Sequence, residues 1–418
     1  MNTRRLPGRA ALLWLAGSVT ALHPLENPLR RYDWGSPTRI PALLGSPADG
    51  GPVAELWLGA HPSAPSRADG VPLHELVRSA PEAMLGRRVS DLFGPRLPFL
   101  LKVLAADRAL SLQVHPRPHL ARAGFNRENR LGVAPGSPDR SFHDDQHKPE
   151  MVVALTEFEG LAGFRTARTV LELLAGLDGP LIQRVRGALE ADRSPRGIRA
   201  AFTHLLAARG TDRCAEEVAA TVDAVRDRLA SSPSARADAT VLALAAQHPG
   251  DPGALASLLL NRVTLDPGEG LFLPPGEVHA YLSGLAVEVM ASSDNVLRAG
   301  LTTKRVDSDA LLECASFVPR PPVAPERTVS GPDGTVHTYR APVTEFALTT
   351  ADVGPGQEVV LPAVGPRVVL CLGGRVTLCA ESAAEPAVLP QGSSAFVPHD
   401  AGPLHATGAG HLVCAWVP

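Results

Sequence analysis

Residues 265–307 read L-D-P-G-E-G-L-F-L-P-P-G-E-V-H-A-Y-L-S-G-L-A-V-E-V-M-A-S-S-D-N-V-L-R-A-G-L-T-T-K-R-V-D. The stretch opens as strand and turn: Leu265 leads into Asp266-Pro267-Gly268, where proline presets the bend and glycine accepts the turn geometry. Gly270–Leu273 is a short buried strand, ended by Pro274-Pro275-Gly276. His279 and Tyr281 follow, then an apolar run holding a single acid, Glu288. A polar cluster, Ser292-Ser293-Asp294-Asn295, and the cations Arg298 and Lys304 complete it. An imidazole just past a strand end, an isolated acid and two cations point to a metal site handling an anionic substrate. Taken alone, the same residues equally describe an ordinary β-turn-β unit with a surface histidine.

Two upstream segments break the tie. Residues 111–116 read S-L-Q-V-H-P and residues 147–151 read H-K-P-E-M. Strand side chains alternate with period two, so Gln113 and His115 share one face while Leu112 and Val114 take the other. Together with Glu150 and His279 they make a neutral oxygen, a carboxylate and two imidazoles, a set that suits a catalytic Zn²⁺ with an open position. Glutamine is an uncommon zinc ligand, and spacing alone does not select it.

These segments closely resemble the type I phosphomannose isomerases, a zinc-dependent family. Further matches are R-Y-D-W-G-S at Arg31–Ser36, A-E-L-W-L-G-A-H-P at 54–62 and P-F-L-L-K-V-L at 98–104, and they run in order over about residues 25–310. The resemblance implies interconversion of D-mannose 6-phosphate and D-fructose 6-phosphate with one Zn²⁺ per chain. It implies a mainly β architecture with an α-helical insert: two cupin-type (jelly-roll) β domains, with an all-helical domain inserted in the first. Gln146 stands where asparagine is usual in the family, and Thr303 replaces a customary proline.

Outside the motifs, a chain of 418 residues is expected to form two or three domains. Its 44% hydrophobic and 20% charged residues are those of a globular protein with a sizeable core. A net charge of −3 gives no electrostatic reason to expect nucleic acid. Five cysteines without C-x-x-C spacing favour reduced thiols and a cytoplasmic location. The expected partner is a small sugar phosphate; no membrane is expected, and the chain is expected to act as a monomer.

The chain then divides as follows. Arg4 and Arg5 precede the apolar stretch Ala10–Leu22, the outline of a secretory leader. It is too short and interrupted to span a membrane, and His23, Pro24 and Glu26 make a poor cleavage region. Residues 1–24 are expected as a dispensable extension, or as the product of a start codon upstream of the true one. Short apolar runs rich in Pro and Gly make 25–165 the first part of the catalytic β domain. Within it, 116–147 reads as a polar loop, a lid or a plain surface insertion. From 166 to 260 apolar residues recur at helical spacing, as in Val170, Leu173, Leu174 and Leu177, which predicts five or six helices. Ser194-Pro195 and Asp251-Pro252 read as N-cap and N1 pairs. His204 and Cys214 read as surface or packing residues. Residues 261–318 complete the catalytic domain, and 319–418 read as a small β domain with strands at 368–372, 375–379, 394–398 and 411–417. His399, His405 and His411 there read as surface residues.

An aldose–ketose isomerase moves a proton between adjacent carbons through an enediol, which needs a base and a stabiliser of oxyanion charge. Lys148 and Glu288 are the candidate bases, with His147 a weaker one. Burial would raise Glu288, and a cationic site would lower Lys148; a structural salt bridge between the two is the competing reading. Arg298, which the family treats as an active-site residue, and Lys304 are candidates for phosphate and enediolate. Ser111, Tyr281 and Asp294 are further candidates for the substrate. The alternatives are an isomerase of another aldose or aldose phosphate, a metal-dependent cupin oxygenase, and a non-catalytic sugar-phosphate-binding cupin.

Overall fold

The computed structural model describes residues 22–418, so the expected extension lies outside it except for its last residues. Those residues are part of the fold: Leu22 is buried, and His23–Pro24 pair with Phe396 and Ala395. The chain is mainly β. A ten-stranded sheet holds strands lying between Leu29 and Gly300, and a nine-stranded sheet gathers the C-terminal strands with His23–Pro24.

The strand His279–Ala291 organises the larger sheet. Its first half pairs with Gln113 and with 158–164, and its second half pairs with 99–106 and 150–154. One strand thus joins two sets of neighbours, and the sheet curls into a half-barrel around it. The turnover point is Gly284, at φ 118°, where an added Cβ would lie 2.6 Å from the Glu157 carbonyl oxygen. The register also slips between Tyr281 and Ser283. A bulge of this kind re-aims the side chains beyond it. His279 and Tyr281, at odd positions, and Glu288 and Met290, at even positions, therefore all face the inside of the curl.

The outer side of the same strands is apolar. Phe99, Leu101, Val103, Val287 and Val289 form one buried cluster with Phe346, Leu348, Leu370, Phe396 and Val413 of the C-terminal sheet. Burying each such side chain contributes roughly 1.5–3 kcal/mol. The alternation of the 99–106 strand leaves Leu100, Lys102 and Leu104 on the inner side.

The larger sheet's chain ends at Phe164, runs through helices, and returns at Leu260, opposite Phe164. The helices are Ala167–Leu173, Pro180–Ala191, Pro195–Ala208, Asp212–Asp227, Ala235–Gln247 and Gly253–Ala256. Thr166, Ser194, Thr211 and Ser234 cap four of them through their side-chain oxygens. Their apolar stripes join a cluster that includes Leu112, Val114, Val278, Ala280, Leu297 and Ala299, so they back the site strands directly. His204 is exposed and Cys214 is buried.

Three local expectations are corrected. Residues 116–147 contain a helix, Pro118–Arg130, that packs Leu120, Ala121 and Phe125 inward. Behind it, Glu128 accepts from the backbone N–H of Ser141 and Phe142, and Arg140 donates to Asn129, Val133 and Phe142, which pins the segment. The runs at 368–372 and 375–379 are one strand, Arg367–Ala380, with a register shift at Cys371/Gly373 rather than a turn. The helix begins at Gly253, so Pro252 is its N-cap rather than its first residue and no side chain caps it; Asp251 instead accepts Gly253 N–H through Oδ1 and Leu301 N–H through Oδ2. No described helix is long and apolar enough to cross a membrane. All five cysteines are free.

Candidate active site and metal centre

Cross-strand pairing assembles the site, because residues directly opposed in an antiparallel pair project from the same face. Gln113 is opposed to both His279 and Arg298, giving one row across three strands. Trp57, Lys102 and Glu288 form a second row. The rows open on a cleft of about 650 Å³. Ser111, Gln113, Lys148, Glu150, His279, Tyr281, Glu288, Asp294, Arg298 and Lys304 all line it. His115 lies behind them against Glu150.

Glu150 stands between two imidazoles, with Oε1 3.2 Å from His115 Nε2 and Oε2 3.3 Å from His279 Nε2. The three residues are 2–3% exposed, and their donor atoms lie within 4.8 Å of one another. Each ring is oriented from behind: Nδ1 is 2.7 Å from the Asn295 carbonyl in His115 and 2.9 Å from the Glu277 carbonyl in His279. Carbonyls only accept, so each Nδ1 carries the proton and each Nε2 presents a lone pair, the arrangement typical of metal-ligating histidines. His115 Nε2 is buried and has no hydrogen-bond partner. Gln113 donates its Nε2–H to Ser111 at 3.3 Å, which leaves its oxygen for a metal. The set fits a divalent ion that takes nitrogen and oxygen donors.

Burial disfavours charge on the imidazoles and takes His115 to about 4; in His279 the Glu150 carboxylate and the Glu277 carbonyl outweigh burial and raise the group. Burial also opposes ionisation of Glu150, but Lys148 and His115 overcome it and hold the carboxyl well below its usual range.

The competing salt bridge between Lys148 and Glu288 does not form. Lys148 Nζ lies 3.0 Å from Glu150, and Glu288 lies 3.1 Å from Lys102 Nζ. Lys102, 5% exposed, also faces Glu55 at 3.6 Å. The acids Glu55, Glu150 and Glu288 and two lysines thus form one buried cluster. Burial raises Glu288, as anticipated, and Tyr281 donates its hydroxyl to Glu288 Oε1 at 3.0 Å. His147 is turned away, 2.5 Å from Glu345, and does not line the cleft.

Lys102 and His61 also belong to the site; both lie inside family motifs, yet neither stands out by spacing alone. Lys102 is a lone cation in an apolar strand, the mirror image of Glu288. His61 Nδ1 accepts from the backbone and hydroxyl of Ser63, so its Nε2 carries the proton and points to Asp294, 3.6 Å away. Arg298 and Lys304 face the cleft without a carboxylate in contact among the described residues.

Comparison with known proteins places this geometry. Residues 22–167 match the family described as phosphomannose isomerase type I, catalytic domain. The mannose-6-phosphate isomerase of Salmonella typhimurium is 35% identical over 397 residues, covering 94% of this chain and 98% of its own. Mannose-6-phosphate isomerase 1 of Arabidopsis thaliana is 33% identical, covering 91% and 90%. A solved mannose 6-phosphate isomerase in its zinc-bound holo form has a TM-score of 0.85 at 34% identity, covering 95% of this chain and 99% of its own. The apo form from Salmonella typhimurium gives the same TM-score, 0.85, at the same coverage of 95% and 99%. Relatives this similar, matched over nearly their whole length, establish that the chain belongs to the type I phosphomannose isomerase family.

Proposed function

We propose that this chain interconverts D-mannose 6-phosphate and D-fructose 6-phosphate with one zinc ion. The observation that carries the reading is a carboxylate held between two oriented imidazoles, at the base of a cleft whose other wall carries free cations. Gln113, His115, Glu150 and His279 would hold the metal. Zinc bound there supplies Lewis-acid stabilisation of negative charge on the sugar oxygens.

The remaining chemistry belongs to the chain's own residues. Isomerisation removes the proton from C2 of the open-chain aldose and returns it at C1, while the O2 proton passes to O1. Lys148 and Glu288 are the groups on the cleft wall suited to carry the carbon proton. Glu288, raised by burial, is a stronger base than an ordinary carboxylate, and Lys102 and Tyr281 hold it in place. Arg298 offers a planar fork to the enediolate oxygens, and Lys304 and Ser111 face the phosphate. Asp294, oriented by His61, is placed to meet a sugar hydroxyl.

The architecture is read as two cupin-type barrels. Segments 25–165 and 261–318 would form the catalytic one, 166–260 an inserted helical domain and 319–418 the second barrel. The pairing of 158–164 with 260–265 supports the insertion.

A substrate panel tests the function. Mannose 6-phosphate is expected to give a kcat/KM at least about a hundredfold above that of unphosphorylated mannose, as befits a site whose charged groups would be left unpaired. Equal values for the two sugars would contradict a phosphate role for Lys304 and Ser111.

A further inference from the structure

The segment Leu301–Lys304, on the rim of the cleft, is held from the helical stretch by groups that never touch the cleft themselves. Leu301 has φ 55°, in the left-handed region that a branched side chain rarely adopts. Such a conformation persists only where the surroundings over-determine it. Here the restraint is Asp251, at the start of the Gly253–Ala256 helix. Its Oδ2 accepts Leu301 N–H at 3.0 Å, and its Oδ1 accepts Gly253 N–H at 2.8 Å. Arg209, at the end of the Pro195–Ala208 helix, lies 3.5 Å from the same Oδ2 and donates to the Thr302 carbonyl.

The two backbones also touch directly. A Cβ on Gly253 would lie 2.9 Å from Leu301 N, and one on Gly300 would lie 3.1 Å from Gly253 Cα. Lys304 N–H in turn donates to Thr302 Oγ1 at 3.1 Å, so the lysine follows wherever Thr302 is placed. A loop bearing an exposed, unpaired lysine gains little from its own side-chain contacts, and its conformation is fixed from behind.

We infer that Asp251 and Arg209 are positioning residues that aim Lys304 at the phosphate of the substrate, giving the helical stretch a part in substrate recognition. The inference rests on the reading that the cleft takes a sugar phosphate. It concerns binding of the phosphate end and leaves the reacting carbons to other groups.

The test is Asp251→Ala in the zinc-loaded protein, with inorganic phosphate as a competitive inhibitor. KM for mannose 6-phosphate and Ki for phosphate are expected to rise together about tenfold, while kcat falls no more than about threefold and zinc content is unchanged. Asp251→Asn keeps one oxygen that can accept Leu301 N–H but loses the charge facing Arg209, so its Ki is expected to rise by about threefold. A purely structural role would lower the melting temperature without moving Ki. Wild-type KM and Ki in Asp251→Ala, or a loss of zinc at unchanged Ki, overturns the inference. Should that variant not fold, a wild-type Ki in Asp251→Asn overturns it alone. Wild-type protein that fails to turn over mannose 6-phosphate would instead remove the functional reading on which the inference rests.

Discussion

Replacing His279 by alanine is expected to remove most of the bound zinc and nearly all activity while the fold survives. The ring is 3% exposed, and its Nε2 lies 3.3 Å from Glu150. Losing an outer hydrogen-bond partner of a metal ligand already costs about 10- to 100-fold in metal affinity. Losing the ligand itself is expected to exceed that range. Val278 and Ala280 face the opposite side of the strand and stay in the core, so secondary structure is retained. Elemental analysis and steady-state rates on the purified variant check both halves. A variant with full zinc content would remove His279 from the ligand set.

Arg298→Lys is expected to lower kcat by roughly 100- to 1,000-fold, the usual effect of losing one preorganised donor to a developing oxyanion. KM is expected to stay within about threefold. Arg298 projects from the same face as Gln113, its directly opposed partner in the sheet, and no carboxylate among the described residues neutralises it. Its fork is therefore free to grip two oxygens, whereas lysine keeps the charge and loses the second hydrogen bond. If Arg298 only anchored phosphate, KM would rise and kcat would fall less, because the loop bearing Lys304 remains. Near-wild-type values for both parameters would remove either role.

The site was legible where chemistry follows local periodicity. Alternation alone put Gln113 and His115 on one face, and the structure has Leu112 and Val114 buried on the other. The lone acid Glu288 and the free cations Arg298 and Lys304 stood out against their surroundings, and all line the cleft. What escaped depends on register between distant strands. Glu288 reaches the face of His279 only because the strand slips between Tyr281 and Ser283 and bends at Gly284 against Glu157 and Phe158. Within residues 279–291 only Gly284 signals the break, and nothing there names its partners Glu157 and Phe158. Lys102 was hidden for the same reason: its partners Glu55 and Glu288 belong to flanking strands, and only the pairing reveals the triplet. The helix at Pro118–Arg130 has the composition of a loop, because its polar residues mask a sparse inward stripe. In the second sheet, the single strand Arg367–Ala380 looks like two in sequence, because Gly373-Gly374 carries the composition of a turn while the ladder runs on through it.

If this cleft isomerises mannose 6-phosphate by means of a metal held on Gln113, His115, Glu150 and His279, turnover is tied to the ion. The most direct test follows fructose 6-phosphate formation while the purified protein is stripped by a chelator and zinc is then returned in steps. Product formation is expected to cease on stripping and to return in proportion to zinc, reaching its plateau at one ion per chain. Undiminished turnover by the metal-free protein would contradict this metal dependence.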